Sequence, residues 1–559
     1  MSKLQAPSGR ESVAGGAVAS APGLTFRELG LARQGQGPWA DEWWAPGARG
    51  RAARTALLRQ ALGVLWSNAL RDARSSGGGS SRSGVAALGA VGSLGRGDMG
   101  PLSDLDLVVV HEGAGWNSER REELARALWY PIWDAGFDLD QSFRSLAECR
   151  RIASQDLPAA TGLLSLSPLA GDAGLTERAA SAVLADWRAA ARKRLPELVE
   201  SVQEREQSFG HLAFRLEPDL KEARGGLRDV VTLDALVASW LAEKPRAEGD
   251  LVRSREYLLD VRDALQRSTR RHSNLLLMAE QDTTARAVDP YLTADQLLST
   301  LARAGRSVTH ALDTTMRRAA GNLPSRKALP AVFVRGRRQG PRLTPLAEGL
   351  AELAGEIVFA SLEAPLHDAV LPLRAARVAA QEGLPLEPLT LAGLRDTPPL
   401  PEPWPEEARA ELAAFLALGT AIIPVWEALD QVGVVTRIWP EWTAVRNQAQ
   451  RNALHQHTVD RHQVEAVALL ADLDLGQARR DLVSVATLFH DLGKRPGERD
   501  HAGLGALLAG PLLARMGYTP AEVETMVVLI RQHLTLAELA TSRDPAAPET
   551  AALLWDAVA

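Results

Sequence analysis

One cysteine, Cys149, stands in 559 residues, which excludes an intramolecular disulfide framework and fits a reducing compartment. Long hydrophobic runs are missing as well. The longest uncharged apolar stretch, Leu412–Trp426, has 15 residues and contains Pro424, short of the roughly 20 that span a bilayer. The N-terminus has no basic flank followed by an apolar core, so no export signal is read there. No membrane partner is expected, and residence is expected to be cytoplasmic. Positive charge is not in excess: 63 Lys and Arg against 69 Asp and Glu leave a formal net charge of −6. No global basic field is available to hold RNA or DNA, so no nucleic-acid partner is expected. A chain of this length should divide into roughly three or four domains.

The stretch around which the rest is organised is Val85–Val110, VAALGAVGSLGRGDMGPLSDLDLVVV. It reads as an apolar strand, a tight turn at Gly92-Ser93 with Gly95 following, a short charged loop, and a second apolar strand. Glycine lets backbone N–H groups approach a phosphate with no Cβ in the way, and Arg96 is a bidentate donor suited to phosphate oxygens. Asp104 and Asp106 are two residues apart in a β pattern, so both carboxylates leave one face of a strand. Such a pair repels unless a cation sits between its members, and hard oxygen ligands suit Mg²⁺ bridging to a nucleotide's phosphates. The pattern predicts metal-dependent nucleotidyl transfer. A third carboxylate is expected from Phe137-Asp138-Leu139-Asp140, where Asp138 and Asp140 share a face; the sequence does not choose between them.

Gly92 to Leu107, GSLGRGDMGPLSDLDL, resembles the nucleotidyltransferase signature of the bifunctional protein-PII uridylyltransferase/uridylyl-removing enzymes. Asp98 departs from it, since the family usually has Glu there. Leu128–Gly136 and Ser142–Cys149 are similar to the family too, with Arg144 a candidate phosphate contact.

The order along the chain is read as follows. Residues 1–45, rich in Gly, Ala, Ser and Pro, are expected to form a loose arm, followed by a nucleotidyltransferase domain over 46–172. In it Ala52–Arg74 reads as a helix ended by the Gly/Ser cluster Ser75–Ser83, and Glu119–Trp133 as another, with Leu124, Leu128 and Trp129 on one side. Residues 173–325 read as a helical bundle that supports the nucleotide. Within it Glu217–Asp229, EPDLKEARGGLRD, is a charged loop broken by paired glycines. It resembles a family motif that implies Lys221 and Arg228 near the triphosphate; otherwise it is an interhelical loop pinned by ion pairs of Arg228 and Asp229. Residues 326–405 read as a small connecting domain with short strands at Val332–Val334 and Ile357–Phe359 and a proline-dense linker. Residues 406–559 read as a helical lead-in, which includes the family-like Trp439-Pro440-Glu441-Trp442, and a second catalytic domain.

In that last region His462 opens a helix, His490-Asp491 closes an apolar one, and His501, His533 and Asp544 follow. Adjacent His and Asp at a helix end are a poor choice for packing, since both need polar partners when buried. Imidazoles with a carboxylate suit Zn²⁺, Mn²⁺ or Fe²⁺ and leave open positions for water and a phosphate oxygen. The arrangement resembles the HD phosphohydrolases. The resemblance implies His462, His490, Asp491 and Asp544 as metal ligands, and His501, His533 and Lys494 as contacts to a second metal or a phosphate. Arg495-Pro496 stands where the family usually has glycine after Lys494, with a slightly longer loop before Asp500-His501, so the resemblance fixes His501 less closely than His490.

The fold class expected is α/β, mostly α: a mixed nucleotidyltransferase sheet with helices, then a helical bundle, then an all-α HD domain. The resemblance implies transfer of a nucleotide from UTP, or from ATP, to a tyrosine of the signalling protein PII, and hydrolytic removal. Rival readings are a tRNA 3′-end nucleotidyltransferase with an HD domain, which the acidic chain disfavours, and a nucleotide-sensing scaffold, which the intact carboxylates disfavour. The family continues past the Asp544 position into a helix and two ACT domains linked to glutamine control. A chain stopping at Ala559 is therefore expected to ignore glutamine and to hydrolyse poorly.

Overall fold

The computed structural model describes residues 24–75, 84–113, 115–245, 248–321, 333–334, 337–338, 343–361, 363–450, 457–476 and 478–558. The expectations for residues 1–23, for most of the Gly/Ser cluster and for Val332 lie outside these. The chain forms two compact units, residues 1–152 with 162–183, and residues 153–161 with 184–559.

The first unit is built on a four-stranded sheet in the order β3-β2-β1-β4, with β1 Val85–Ala90, β2 Leu105–Glu112, β3 Leu139–Ser145 and β4 Ser167–Gly171. β1 is antiparallel to β2 and β4, and β2 is parallel to β3, so the sheet is mixed as expected. The β2–β3 crossover contains the helix Ser118–Asp134, which starts where the Asn117 side chain accepts from Arg120 N–H at 3.0 Å. This capping satisfies a donor that the first helical turn leaves without an intrahelical partner. Its buried face is Leu124, Leu128, Trp129 and Ile132. The helix Gly47–Ser75 buries Leu57, Leu58 and Leu62 in the same core.

The N-terminal segment is not loose where it is described. Residues Phe26–Arg33 and Ala40–Trp43 are helical, and Leu24, Phe26, Leu29 and Trp43 are buried. The aromatic side chains decide this: Phe26 and Trp43 each meet Phe137 edge-on at 5.6 Å, which outweighs the loop-like composition around them. Trp43 Nε1 donates to Pro101 O at 3.0 Å, and the buried Arg54 donates to Met99 O and to Trp43 O. The segment thereby clamps the loop between the glycine turn and the two aspartates.

The second unit is helical except for small sheets. Helices Leu227–Ala238, Glu248–Thr269, Met278–Val288 and Ala294–Gly321 surround a core of Leu220, Leu258, Val261, Leu297 and Val308. A three-stranded antiparallel sheet, Thr344–Ala347, Leu350–Leu353 and Glu356–Phe359, follows. Leu350 and Ile357 share one apolar core with Leu373, Trp404, Trp439, Val464, Phe489 and Ile530, so residues 350–530 pack around a common interior.

Candidate functional site

In the first unit the register of β2 and β3 places Asp106 directly beside Asp140, as parallel neighbours on one face of the sheet. Asp104, two residues before Asp106, immediately precedes β2. Asp104 and Asp106 are half-buried and Asp140 is exposed. The Asp138 side chain is 74% exposed and lies 3.9 Å from Arg33 Nη2.

The glycine turn is a short helix, Gly92–Arg96, rather than a simple reversal. Gly92 has φ +60°, and a Cβ there would overlap the Asp106 carboxylate. Only glycine lets the turn close over Asp106. Gly92 N–H donates to Ser165 Oγ at 3.1 Å, and the Ser93 hydroxyl is buried with no hydrogen-bond partner. Arg96 Nε donates to Asp98 Oδ2 at 3.0 Å. The shorter Asp98, where the family has Glu, engages the guanidinium within the loop.

In the second unit the loop before helix Leu227–Ala238 is pinned through the buried Asp229. It accepts from Arg224 Nη1 at 2.9 Å, Gly225 N at 2.8 Å and Arg205 Nη2 at 2.5 Å. The ion pairing expected of Arg228 goes to Glu222 instead, at 3.1 Å. Lys221 Nζ lies 3.9 Å from the same Glu222. Both cations are partly exposed and share one carboxylate.

The histidines converge. The helix Arg480–Phe489 delivers His490-Asp491 at its end, and Val459–Leu470 carries His462. Asp491 is 2% exposed, with Oδ2 3.5 Å from His490 Nε2 and 3.3 Å from Lys494 Nζ. Its Oδ1 faces His501 Nε2 at 3.6 Å and His533 Nε2 at 3.7 Å, and has no hydrogen-bond partner. Two sets, His462 with His490 and Asp491, and Asp491 with His501 and His533, hold their ligand atoms within 4.8 Å of one another. Among the described residues the carboxylates of the first unit make no such set.

A buried carboxylate oxygen left bare amid imidazoles is unfavourable unless a cation occupies the space, so the donor set fits a metal ion. The ring nitrogens agree. His490 Nδ1 lies 2.7 Å from Thr487 O and His533 Nδ1 2.7 Å from Ile530 O, which assigns the Nδ1 proton to each carbonyl and leaves Nε2 free to ligate. Burial is the main cause that lowers the pKa of His462, His490 and His501, keeping them neutral and ligand-competent. Burial pushes the Asp491 carboxyl up, but His490, Lys494, His533 and His462 outweigh it, and its pKa falls below the ordinary value. His501 reaches the site despite the longer loop, because Gly493 packs against His501 O and the Gly505 backbone with no room for a Cβ. Asp544 is not brought in. It is exposed, and its Oδ1 accepts from Ala546 N–H at 2.9 Å.

One feature escaped the sequence reading. Arg306, on helix Ala294–Gly321, is buried with all three nitrogens engaged. Nε meets Glu427 at 2.9 Å, Nη1 meets Asn447 at 2.6 Å and Asp460 at 2.9 Å, and Nη2 meets Glu427 and Asp430 at 2.7 Å each. Burial opposes its charge, but the three carboxylates outweigh that and raise its pKa. Asp430 is pushed up by burial even so. Asp460 lies on the helix of His462, so this network ties the ligand-bearing helix to the bundle. The available signal was an arginine among Leu301, Ala302, Gly305 and Val308 on a buried helical face.

Comparison with known proteins accords with this arrangement. The nucleotidyltransferase domain family matches residues 78–159, GlnD PII-uridylyltransferase matches 193–316, and the HD domain family matches 459–555. The bifunctional uridylyltransferase/uridylyl-removing enzyme of Streptomyces coelicolor is 46% identical over 84% of this chain and 56% of its own length. Across most of its own length, from the nucleotidyltransferase segment to the HD segment, the chain is similar to that enzyme. Enzymes of the same name from Mycobacterium tuberculosis and Corynebacterium glutamicum are 40% and 32% identical over 84% of the chain, and over 57% and 66% of their own lengths. The chain thus spans a little over half the length of the first two relatives. The three matched segments hold, in order, the paired aspartates, the Asp229-pinned loop and the histidine cluster. Among the described residues no single helix is long and apolar enough to cross a membrane.

Proposed function

We propose that the protein transfers a uridylyl group from UTP to a tyrosine of PII at the first unit's carboxylates, and removes it hydrolytically at the histidine cluster. The observation that carries this reading is the pairing of two separate donor sets in one chain. One is the all-oxygen group of Asp106 and Asp140, neighbours in register, with Asp104 two residues before; the other is the imidazole-rich shell around Asp491.

Asp140, rather than Asp138, is the third carboxylate of this proposal, because it stands in register with Asp106 while Asp138 sits near Arg33. Oxygen donors of this kind suit Mg²⁺, which when bound offsets triphosphate charge. Gly92 leaves the space in which Asp106 holds its orientation. At the second site His462, His490 and Asp491 would hold one divalent ion, with Asp491, His501 and His533 able to take part in holding another. Mn²⁺, Fe²⁺ and Zn²⁺ all suit such a set, and a bound ion there supplies Lewis acidity toward a phosphoryl oxygen. Lys494, held by Asp491, places a positive charge at the rim for the leaving uridylate.

The test is to incubate the chain with PII, Mg²⁺ and each of labelled UTP and ATP, then to chase with unlabelled nucleotide and Mn²⁺. The expected result is label on PII from UTP followed by its release as UMP. Labelling from ATP alone would reassign the nucleotide, and no labelling from either would remove the transfer reading.

A further inference from the structure

We propose that the second unit carries a further ligand site, a cavity of about 460 Å³ that takes a small organic anion with an apolar body. It lies between helix Ala294–Gly321 and helices Leu371–Glu382 and Ile422–Gln431, and contains no residue of the carboxylate or histidine sites. Its volume falls within the roughly 300–1,000 Å³ usual for small-molecule pockets.

The lining is chiefly apolar, with Ala379, Ala380 and Leu386 buried along one side. Into this surface come polar groups that the fold leaves incompletely satisfied. Arg317 Nε and Gln431 Nε2 are buried and have no hydrogen-bond partner. Both are donors, and a buried donor without an acceptor costs about 1–3 kcal/mol, so the missing component is an acceptor. The charges select its sign. Asp313 is engaged by Arg224, and Glu427 by Arg306 and Arg461. The carboxylate facing Arg317 is Glu356, 3.9 Å from Nε and beyond hydrogen-bond reach. Burial pushes the Glu356 carboxyl up, which makes it a weaker partner still. A ligand carboxylate, sulfonate or phosphate would give Arg317 and Gln431 the acceptor that Glu356 does not, while its body covers the alanine and leucine wall. Glu427 and Arg461, which also line the cavity, belong to the network on the helix of His462, so the cavity adjoins the hydrolytic site's support.

The experiment titrates the full chain with two fluorescent probes of one shape, the anion 8-anilinonaphthalene-1-sulfonate and the neutral N-phenyl-1-naphthylamine. The sulfonate should saturate a single site. Arg317→Met and Gln431→Leu, which add no bulk, should each weaken the sulfonate by about tenfold and leave the neutral probe within twofold. Ala380→Trp, which fills the cavity, should exclude both. The proposal is overturned if no saturable site is found, or if Arg317→Met and Gln431→Leu bind the sulfonate as the unaltered chain does. Equal affinity of the unaltered chain for the two probes would likewise overturn it.

Discussion

Asp106 and Gly92 are the closest residue-level pairing of the proposed transfer site, because at Gly92, with φ +60°, a Cβ would fall 1.9 Å from Asp106 Oδ2. Gly92→Ala should therefore displace Asp106 and abolish labelling of PII while hydrolysis of already modified PII continues. Loss of both activities in a folded variant would contradict the assignment. His111 offers a prediction of another kind. It is 4% exposed against Trp116 and Phe143, neither ring nitrogen has a hydrogen-bond partner, and Glu148 is 4.0 Å away. Burial first, then Arg121, lower its pKa, with Glu148 opposing. Above the unfolded value of about 6.5 both states are neutral; below it the unfolded chain binds a proton that the folded chain resists, so stability falls as pH falls. His111→Phe should make this slope shallower and leave stability at pH 7.5 equal or higher, with His462, His490 and His501, lowered in the same direction, contributing to what remains. Urea midpoints between pH 5 and 7.5 measure it, and an unchanged slope would exclude His111 as a cause. The grouping of His462, His490, Asp491, His501 and His533 follows residues that the sequence singled out, since His-Asp at a helix end carries its chemistry in its spacing. The partners of Arg96 and Arg228 were not legible in the sequence, because a charged side chain's choice among nearby carboxylates is decided by three-dimensional reach.

At the scale of elements, the helix bearing His462 is held through Asp460 by Arg306 of the bundle, and removing one member of such a network exposes the rest. Arg306→Met should leave Glu427, Asp430 and Asp460 without their shared cation and cost about 3–5 kcal/mol of stability in the second unit. Adding Asp460→Asn should recover part of the loss, since the two changes share one contact. Denaturant unfolding of the single and double variants measures this, and additive losses would show that the two residues do not interact. Strands and helices over Val85–Val110 and Ser118–Asp134 follow the hydrophobic period, so the sheet was readable. The packed N-terminal helices were not, because their burial depends on Trp43 and Phe26 meeting Phe137, over ninety positions further along. The placing of Asp140 beside Asp106 likewise depends on the β2–β3 register, which alternation within one strand does not contain.

For the whole molecule the account makes one central claim, that a single chain holds two chemically different phosphoryl sites that fail independently. The expectation of separate bundle, connecting and hydrolase domains rested on composition shifts along the chain. Composition did not reveal that residues 350–530 share one core, because long-range packing of Trp404, Trp439 and Phe489 has no local signature. The claim is tested most directly by measuring both reactions, transfer of labelled uridylate to PII and release from modified PII, in Asp104→Asn/Asp106→Asn and in His490→Ala. The account predicts that the paired aspartate change lowers transfer by at least about 100-fold, the loss of several kcal/mol of charge stabilisation, with removal unchanged. His490→Ala should stop removal and leave transfer unchanged. If either variant, still folded, loses both reactions together, the two activities share one site and the account is wrong.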